Sequence, residues 1–448
     1  MSRVTDYDVV VVGSGAGGLV GALRAAERGL RVVVLEKADV CGGTTALSGA
    51  GLWAPANLHV LNAGQQDDLE SALTYMSHTV GDRTPVSMQR AFLEAAAETI
   101  AWLETKNVRF SYMTGYPDYH PAEPGGLLTG RAITPKALRR SFTDTLEHDV
   151  QPVLPMGHGG PPITDPGPDG PHWGGQSLIA QLLAALSAAG VEVWTSTPFT
   201  DLLVVDGAVV GVMAEREGRP VEIAGPAGVL LGCGGFDHSA VMRQQWQDPV
   251  LGSGEWSLGV AGNTGDGIAA GLRAGAATDL LEDCWWAPGF VRPDGNPSFL
   301  LWERAAPTGI IVDQDGKRWI NEGTPYNTFG HLMLAARDSG IPCIPSWYVF
   351  DQHALDTYGF AGLRPGDDST PWVEAGALVR AQSLEGLASA IGTTELVATA
   401  ERWNALAEKG VDEDFGRGDE GSYERQLLWV FQRYPQQDRK STRLNSSH

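Results

Sequence analysis

Three glycines near the N-terminus have the spacing of a phosphate-binding turn, Gly13-x-Gly15-x-x-Gly18. They follow the apolar run 7–12, which predicts a strand buried on both faces, and precede a helical pattern over residues 19–28. Gly13 would permit the tight turn, Gly15 would let the backbone approach a pyrophosphate, and Gly18 would let the helix pack closely on the strand. The N–H groups at the helix N-terminus would attract that anion.

An acidic residue follows at the end of the next apolar run, 31–35. Glu36 lies 23 positions beyond Gly13, where a carboxylate would accept hydrogen bonds from the ribose hydroxyls of an adenosine. A carboxylate there disfavours a 2′-phosphate, so the pattern indicates FAD or NAD rather than NADP. The alternative is a glycine-rich turn with no ligand, and the strand–turn–helix context argues against it.

A second loop of small residues, Gly42-Gly43-Thr44-Thr45-Ala46-Leu47-Ser48-Gly49, distinguishes FAD from NAD. Its hydroxyls and N–H groups could contact the diphosphate, the ribityl chain and the flavin edge of a long extended cofactor. A nicotinamide dehydrogenase does not need this segment. The predicted FAD-binding residues are Gly13, Ser14, Gly15, Ala16, Gly17, Gly18, Glu36, Lys37, Gly43, Thr44, Thr45, Ser48, Gly49, Gly234, Gly235 and Asp266.

The elements that would position these residues form a βαβ unit at the start of the chain. We expect residues 41–51 to be a loop and residues 67–101 to form two helices with a break at 81–85. Further strands are predicted at 191–194, 200–205, 209–215, 221–224 and 228–231, and residues 310–318 are predicted to form a hairpin. From about residue 282 the sequence becomes richer in Trp, Pro and polar residues, which predicts a second domain.

The composition excludes several classes of protein. The 448 residues carry 32 Lys and Arg against 54 Asp and Glu, a formal charge of −22 that disfavours nucleic acid and anionic membrane surfaces. No membrane span and no signal peptide are expected. The four cysteines are far apart and form no C-x-x-C pair, so we expect reduced thiols, a cytoplasmic protein and no metal site.

The chain resembles the fumarate reductase/succinate dehydrogenase flavoproteins and, among them, the 3-ketosteroid Δ1-dehydrogenases of steroid degradation. The matching segments include Gly43–Gly49, Pro117-Asp118-Tyr119, Trp285-Trp286-x-Pro288-Gly289 and Asp412-Glu413-Asp414-Phe415-Gly416. The resemblance implies an α/β fold, a Rossmann-like FAD-binding domain of the GR2 type with an inserted α+β substrate and catalytic domain. We expect the FAD domain over residues 1–281 and the substrate domain over 282–437.

The resemblance also implies a reaction and its catalytic residues. A tyrosinate would take a proton from C2 of a 3-ketosteroid, and the C1 hydrogen would leave as hydride to N5 of non-covalently bound FAD, with a quinone-type final acceptor. Tyr326 matches the base, Tyr119 matches its hydrogen-bonding partner, and the site would have to favour the tyrosinate, since a phenol ordinarily has a pKa of about 10. Ser48, Trp285 and Trp286 could line the substrate pocket, although core packing is an equal alternative for both tryptophans.

One segment departs from the family pattern. The family's ketone-polarising Tyr-Pro-Gly-Gly-Gly segment is absent, and Tyr434-Pro435 is followed by two glutamines. Residues 438–448 match a translated sequencing adapter, so we expect a non-native tail, a missing C-terminal piece of the FAD domain and poor activity of the chain as written. The alternatives are a Δ4-(5α)-dehydrogenase of the same fold and a catalytically incompetent flavoprotein fragment. Arg304 and Arg318 are available for a fumarate reductase, but no His–Arg pattern is recognisable.

Overall fold

The computed structural model describes residues 2–144, 146–152, 171–248, 254–301, 303–305 and 309–418. The strands in these ranges are β1 Ser2–Val4, β2 Val9–Val12, β3 Val32–Leu35, β4 Leu52–Trp53, β5 Phe110–Tyr112, β6 Ala132–Pro135, β7 Glu192–Trp194, β8 Phe199–Val205, β9 Ala208–Arg216, β10 Arg219–Ala224, β11 Gly228–Leu231, β12 Gly289–Val291, β13 Pro297–Phe299, β14 Gly309–Val312 and β15 Trp347–Phe350. The helices are α1 Ala16–Glu27, α2 Gly43–Leu47, α3 Leu58–Asn62, α4 Leu69–Thr79, α5 Val86–Thr105, α6 Arg140–Thr143, α7 Gly174–Ala188, α8 Ala240–Trp246, α9 Asp266–Arg273, α10 Tyr326–Asp338, α11 Gln352–Tyr358, α12 Thr370–Glu374, α13 Leu384–Ile391 and α14 Leu396–Lys409.

The N-terminal half is built on a parallel sheet of order β11-β2-β3-β7. The valine runs of β2 and β3 form its centre because both faces of these strands are buried. On one face α1 and α7 pack through Leu19 and Leu182, and on the other the four-stranded sheet β1-β10-β9-β8 packs through Val212 and Ile223. The predicted βαβ unit is confirmed, and the carboxyl ends of β2 and β3 lie side by side.

Two expectations about local structure were wrong. The predicted loop 41–51 contains the short helix α2, which forms because Gly42 and Gly175 let it pack closely against α7. The predicted hairpin over 310–318 is a turn with a single bridge between Val312 and Arg318, whereas β14 pairs with β15. The turn itself is present because Asp313 Oδ1 accepts from the backbone N–H of residues 315 and 317.

The C-terminal half of the described chain has separate hydrophobic cores. One joins β14 and β15 to α13 and α14, and another lies around Phe290 and Phe360. Their members all follow residue 289, whereas the two larger clusters of the N-terminal half end at residues 193 and 270. This separation agrees with a boundary near residue 282, but the division at 281 stays a prediction. Within the described ranges, no helix combines the length and apolar character that spanning a membrane requires.

Candidate functional site

The glycine turn after β2 has the geometry that its spacing predicts. Gly13 has a φ of +98°, and a Cβ on it would lie 2.5 Å from the carbonyl oxygen of Gly232. A Cβ on Gly18 would lie 2.1 Å from the carbonyl oxygen of Gly13, whereas Gly17 has no neighbour within 4 Å of that position. Helix α1 begins after Gly15 with no side-chain cap and no acid in its first turn, so its positive end is available to an anion.

Glu36 lies beside this turn at the end of β3. Its Oε2 accepts from the backbone N–H of Ser14 at 3.1 Å and from the Ser14 hydroxyl at 2.5 Å, and its Oε1 accepts from the N–H of Ala38 at 2.8 Å. A carboxylate offers about four acceptor positions. The carboxylate is therefore oriented by the chain and keeps capacity for one ribose hydroxyl.

The second predicted loop meets the first through side-chain hydroxyls. Thr45 Oγ1 accepts from the N–H of Ala16 at 3.2 Å, and Thr44 Oγ1 accepts from Asn263 Nδ2 at 3.0 Å. We call residues 43–48 the α2 segment; at its end, the Ser48 hydroxyl donates to the carbonyl oxygen of Thr45 at 2.7 Å. Nothing lies within 4 Å of a Cβ on Gly43 or Gly49, so the backbone there can be approached closely.

A third segment, residues 259–266, adjoins the two predicted FAD-binding loops, and we call the three segments together the cofactor region. Lys37 Nζ donates to Gly262 O and to Thr264 Oγ1, both at 2.8 Å, and forms an ion pair of 2.6 Å with Asp266 at the start of α9. Gly234 approaches the same segment, since a Cβ on it would lie 2.6 Å from Asn263 Oδ1, and Gly235 accepts from the N–H of Gly265 at 3.0 Å. Lys37 and Asp266 therefore brace this segment against β3.

These placements fit a dinucleotide that carries a further group. The turn has no room for a Cβ at Gly13 or Gly18, the first turn of α1 contains no acidic residue, and the Glu36 carboxylate lies beside it. The α2 segment, which carries several hydroxyl groups, lies next to this turn, and residues 259–266 bond to it through the Thr44 hydroxyl. Asn263 is a residue of this region that the sequence analysis missed, because no motif surrounds it.

Tyr119 and Tyr326, which are 207 residues apart in sequence, meet through their hydroxyl groups. The Tyr119 hydroxyl donates to the Tyr326 oxygen, and the ring centroids lie 5.3 Å apart with the planes at 87°. Tyr326 is the first residue of α10, and Tyr119 lies on the loop between β5 and β6.

The loop that carries Tyr119 is anchored by a buried carboxylate. The neighbouring Asp118 is 1% exposed and accepts from Trp53 Nε1 at 2.8 Å and from the N–H of Leu127 at 2.9 Å. It also forms an ion pair with the fully buried Arg131. The backbone on both sides of Tyr119 is therefore fixed, since 118 and 127 are tied to the same carboxylate.

The surroundings of Tyr326 act on its pKa in both directions. Burial is the largest effect and raises the pKa above its ordinary value. The hydrogen bonds from Tyr119 and Trp285 and the positive charge of Arg304 lower it, and Tyr116 raises it. The net direction is upward, so the described residues leave Tyr326 protonated at neutral pH. Tyr119, Trp285 and Arg304 therefore favour the anion, whereas burial and Tyr116 favour the protonated phenol.

Aromatic side chains flank Tyr326 on two sides. Trp285 is 70% exposed and its ring stacks at 6.3 Å from that of Tyr326, while Phe299 meets it edge-on at 5.0 Å. Trp286 packs instead against α10, where a Cβ on Gly330 would lie 2.2 Å from the Trp286 Cβ. Phe299 was missed by the sequence analysis because its neighbours in β13 form no motif. An apolar, partly open surface therefore adjoins the tyrosine pair.

The two arginines considered for a dicarboxylate are already engaged. Arg304 is 1% exposed and its Nη1 donates to the carbonyl oxygens of Glu322 and Thr324. Arg318 forms ion pairs of 2.7 Å with both Glu322 and Asp412.

In the described ranges no three His, Cys, Asp or Glu side chains are grouped as a metal site would require. Tyr434, Pro435 and the tail 438–448 lie outside the described residues.

Comparison with known proteins agrees with this geometry. The family described as "FAD binding domain" matches residues 8–435. A 3-oxosteroid 1-dehydrogenase of Mycobacterium tuberculosis is 39% identical over 94% of this chain and 82% of its own length.

Two solved structures resemble the fold. The 3-ketosteroid delta1-dehydrogenase of Sterolibacterium denitrificans, solved with 1,4-androstadiene-3,17-dione, has a TM-score of 0.85 at 30% identity, covering 94% of this chain and 83% of that one. The 3-ketosteroid-delta4-(5alpha)-dehydrogenase of Rhodococcus jostii has a TM-score of 0.66 at 21% identity, covering 94% and 80%. At that identity the second likeness concerns the fold alone.

Proposed function

This chain belongs to the FAD binding domain family and, within it, to the 3-oxosteroid 1-dehydrogenases, and from this premise we propose that it introduces a C1–C2 double bond into 3-ketosteroids. FAD is the cofactor that the family indicates. The observation that carries the proposal is the hydroxyl contact between Tyr119 and Tyr326. In this pair, Tyr326 would be the base and Tyr119 would relay its proton, beside an apolar surface.

Tyr326 acts as the base in this proposal. The neighbouring C3 ketone acidifies the hydrogens on C2, so a phenolate can take one of them as a proton. The electron pair left on C2 forms the C1=C2 double bond as the C1 hydrogen departs with its own electron pair. Tyr119 donates to the Tyr326 oxygen, which stabilises the phenolate before the transfer and offers an exit for the proton afterwards.

The remaining residues bind and orient. Trp285 and Phe299 would contact the flat steroid next to Tyr326. The glycine turn with the start of α1 would hold the diphosphate, Glu36 the ribose, and the α2 segment the flavin side, without a covalent bond. The chemistry that bound FAD supplies is acceptance of the C1 hydrogen as hydride.

A product analysis tests this function. Purified protein carrying yellow flavin is incubated with a 5α-saturated 3-ketosteroid and an artificial electron acceptor, and the product is identified by NMR. We expect the 1-ene. Formation of the 4-ene would assign the Δ4-(5α) reaction instead, and no unsaturated product despite bound flavin would overturn the proposal.

The Tyr326→Phe variant tests the role of the base. Removing a general base typically lowers the rate by about 10²- to 10⁴-fold, so we expect a loss of that size in kcat. The flavin absorption spectrum of the variant serves as the control for folding and cofactor binding. A variant with bound flavin and undiminished kcat would contradict the assignment of Tyr326.

The acceptor and the location are further parts of the proposal. Each turnover produces two electrons that must leave the protein, and a quinone can take both together with two protons. All four cysteines are free thiols, which supports a reducing cytoplasm. Turnover that proceeds with a soluble quinone analogue under anaerobic conditions would support the acceptor, and its failure there would contradict it.

A further inference from the structure

A buried arginine, Arg304, is bonded to the segment that leads into Tyr326. It is 1% exposed and sits on the 3-10 helix Glu303–Ala305. Its Nη1 donates to the carbonyl oxygens of Glu322 and Thr324, each at 2.6 Å, and its Nε donates to that of Leu300 at 2.7 Å. The first two oxygens lie four and two residues before α10 begins, so one side chain fixes the direction in which the chain enters that helix.

The side chain of Glu322 is held separately from its carbonyl group. Its carboxylate is fully buried and accepts from Arg318 at 2.8 and 2.7 Å, from Arg417 at 3.1 Å and from the N–H of Ile311 at 3.0 Å. The ion cluster therefore fixes the start of the 322–325 segment from one direction. Arg304 fixes the carbonyl groups of the same segment from another.

We propose that Arg304 is a positioning residue for the base: it holds residues 322–325 so that the Tyr326 oxygen stays in contact with the Tyr119 hydroxyl. This inference rests on the function proposed above. Holding this segment requires several donors on one side chain. Arg304 Nη1 donates to the carbonyl oxygens of Glu322 and Thr324, while Nε donates to that of Leu300 on another segment. Lysine has a single nitrogen and cannot reproduce these hydrogen bonds, although it keeps the charge.

The charge of Arg304 gives a second reason for its presence. Tyr326 is faced by Tyr119 and Tyr116 from the loop after β5, by Trp285, and by Arg304 from the 3-10 helix. Arg304 is the cation in this set, and its charge opposes the effect of burial by favouring the phenolate. Geometry and charge can be separated, because Lys retains only the charge and Gln retains neither the hydrogen bonds nor the charge.

The test compares Arg304→Lys and Arg304→Gln with the wild type, all loaded with FAD. The matched control is Arg337→Lys, at the other end of α10, because Arg337 bonds to Asp248 and Asp338 instead of to carbonyl groups before Tyr326. Readouts are kcat and KM against pH, the thermal midpoint, and an ultraviolet titration of the Tyr326 phenol taken as the difference from Tyr326→Phe.

We expect Arg304→Lys to lower kcat by about 100-fold, the size of effect that a small misplacement of a reacting group produces. Its KM should remain that of the wild type. Its Tyr326 titration should move to higher pH, because the Tyr119 hydrogen bond is weakened, but by less than in Arg304→Gln, because lysine keeps the positive charge. Arg304→Gln should lower kcat as well and move both the rising pH limb and the phenol titration to higher pH. Arg337→Lys should leave kcat and the titration unchanged.

Two results would overturn the inference. The first is wild-type kcat in a folded Arg304→Lys protein, and the second is a Tyr326 titration that Arg304→Gln does not move. If Arg304→Gln does not fold, Arg304→Lys still decides the positioning role. If the wild type forms no 1-ene, the proposed function fails, while the phenol titration still shows whether Arg304 acts on Tyr326.

Discussion

At the residue scale, the proposed chemistry depends on the effects that raise and lower the pKa of the Tyr326 phenol. Burial raises the pKa of Tyr326, and a base must be ionised to act. The fraction of phenolate therefore increases with pH, so kcat/KM should increase from neutral to alkaline pH until the phenol is fully ionised. The hydrogen bond from Tyr119 works against burial, since it stabilises the charged form.

The Tyr119→Phe variant tests this balance. Loss of the donated hydrogen bond raises the pKa of Tyr326, so less phenolate is present at a given pH and the rising limb of kcat/KM moves to higher pH. Stopped-flow measurement of flavin reduction against pH checks the shift. Tyr112→Phe is the matched control, because the Tyr112 hydroxyl bonds to the carbonyl oxygen of Thr129 near the end of the same loop. Equal pH profiles for both variants would contradict the proposed pairing.

At the element scale, the contact of the β2 turn with α1 decides whether the cofactor end of the sheet can form. Helix α1 approaches the turn so closely that Gly18 has no room for a side chain, and the turn itself requires the positive φ of Gly13. The parallel strands β2 and β3 then bring Glu36 next to the start of α1. The position of each proposed cofactor contact therefore depends on the packing of a helix on a sheet.

Two neighbouring glycines of α1 allow a matched comparison. In Gly18→Ala the new Cβ would lie 2.1 Å from a backbone oxygen, and we expect a loss of stability of about 1–3 kcal/mol. In Gly17→Ala the new Cβ meets nothing within 4 Å, and alanine favours the helix by up to about 1 kcal/mol. Urea unfolding of the apoproteins measures both values. Equal losses in the two variants would show that the close approach is not what requires glycine.

At the scale of the whole molecule, the cofactor region joins segments that are distant in sequence. The turn after β2 contacts the α2 segment through Thr45, the α2 segment contacts residues 259–266 through Thr44, and Lys37 bonds residues 259–266 to the end of β3. A ligand that spans these segments binds the folded chain and not the unfolded one. Its binding should therefore stabilise the whole N-terminal half.

Removing FAD should lower the thermal midpoint. A ligand present at about 1,000 times its Kd contributes roughly 4 kcal/mol to the free energy of unfolding, so the midpoint should rise with added FAD. NAD is the matched control, since it shares the adenosine diphosphate half and lacks the flavin. Differential scanning calorimetry of the apoprotein with each ligand makes the comparison. A shift with NAD as large as that with FAD would contradict a role for the α2 segment.

The sequence by itself determined the βαβ unit that carries the proposed cofactor site. The valine runs, the three glycines and Glu36 lie within one βαβ unit, where strand, turn and helix follow from local patterns. The pattern also indicated FAD over NAD, from small residues close by in the chain. Tyr119 and Tyr326 were identified through family resemblance, because nothing in their own spacing marks two isolated phenols as partners.

Only the tertiary structure decided what surrounds Tyr326, the proposed base. Three contacts join residues from different elements. They are the ring contact of Phe299 with Tyr326, the hydrogen bonds of Arg304 to the carbonyl groups of residues 322 and 324, and the ion pair of Asp118 with Arg131. The direction of the Tyr326 pKa likewise depends on burial, which is a sum over the whole neighbourhood. Such contacts are set by how helices and sheets pack, and local periodicity carries no information about them.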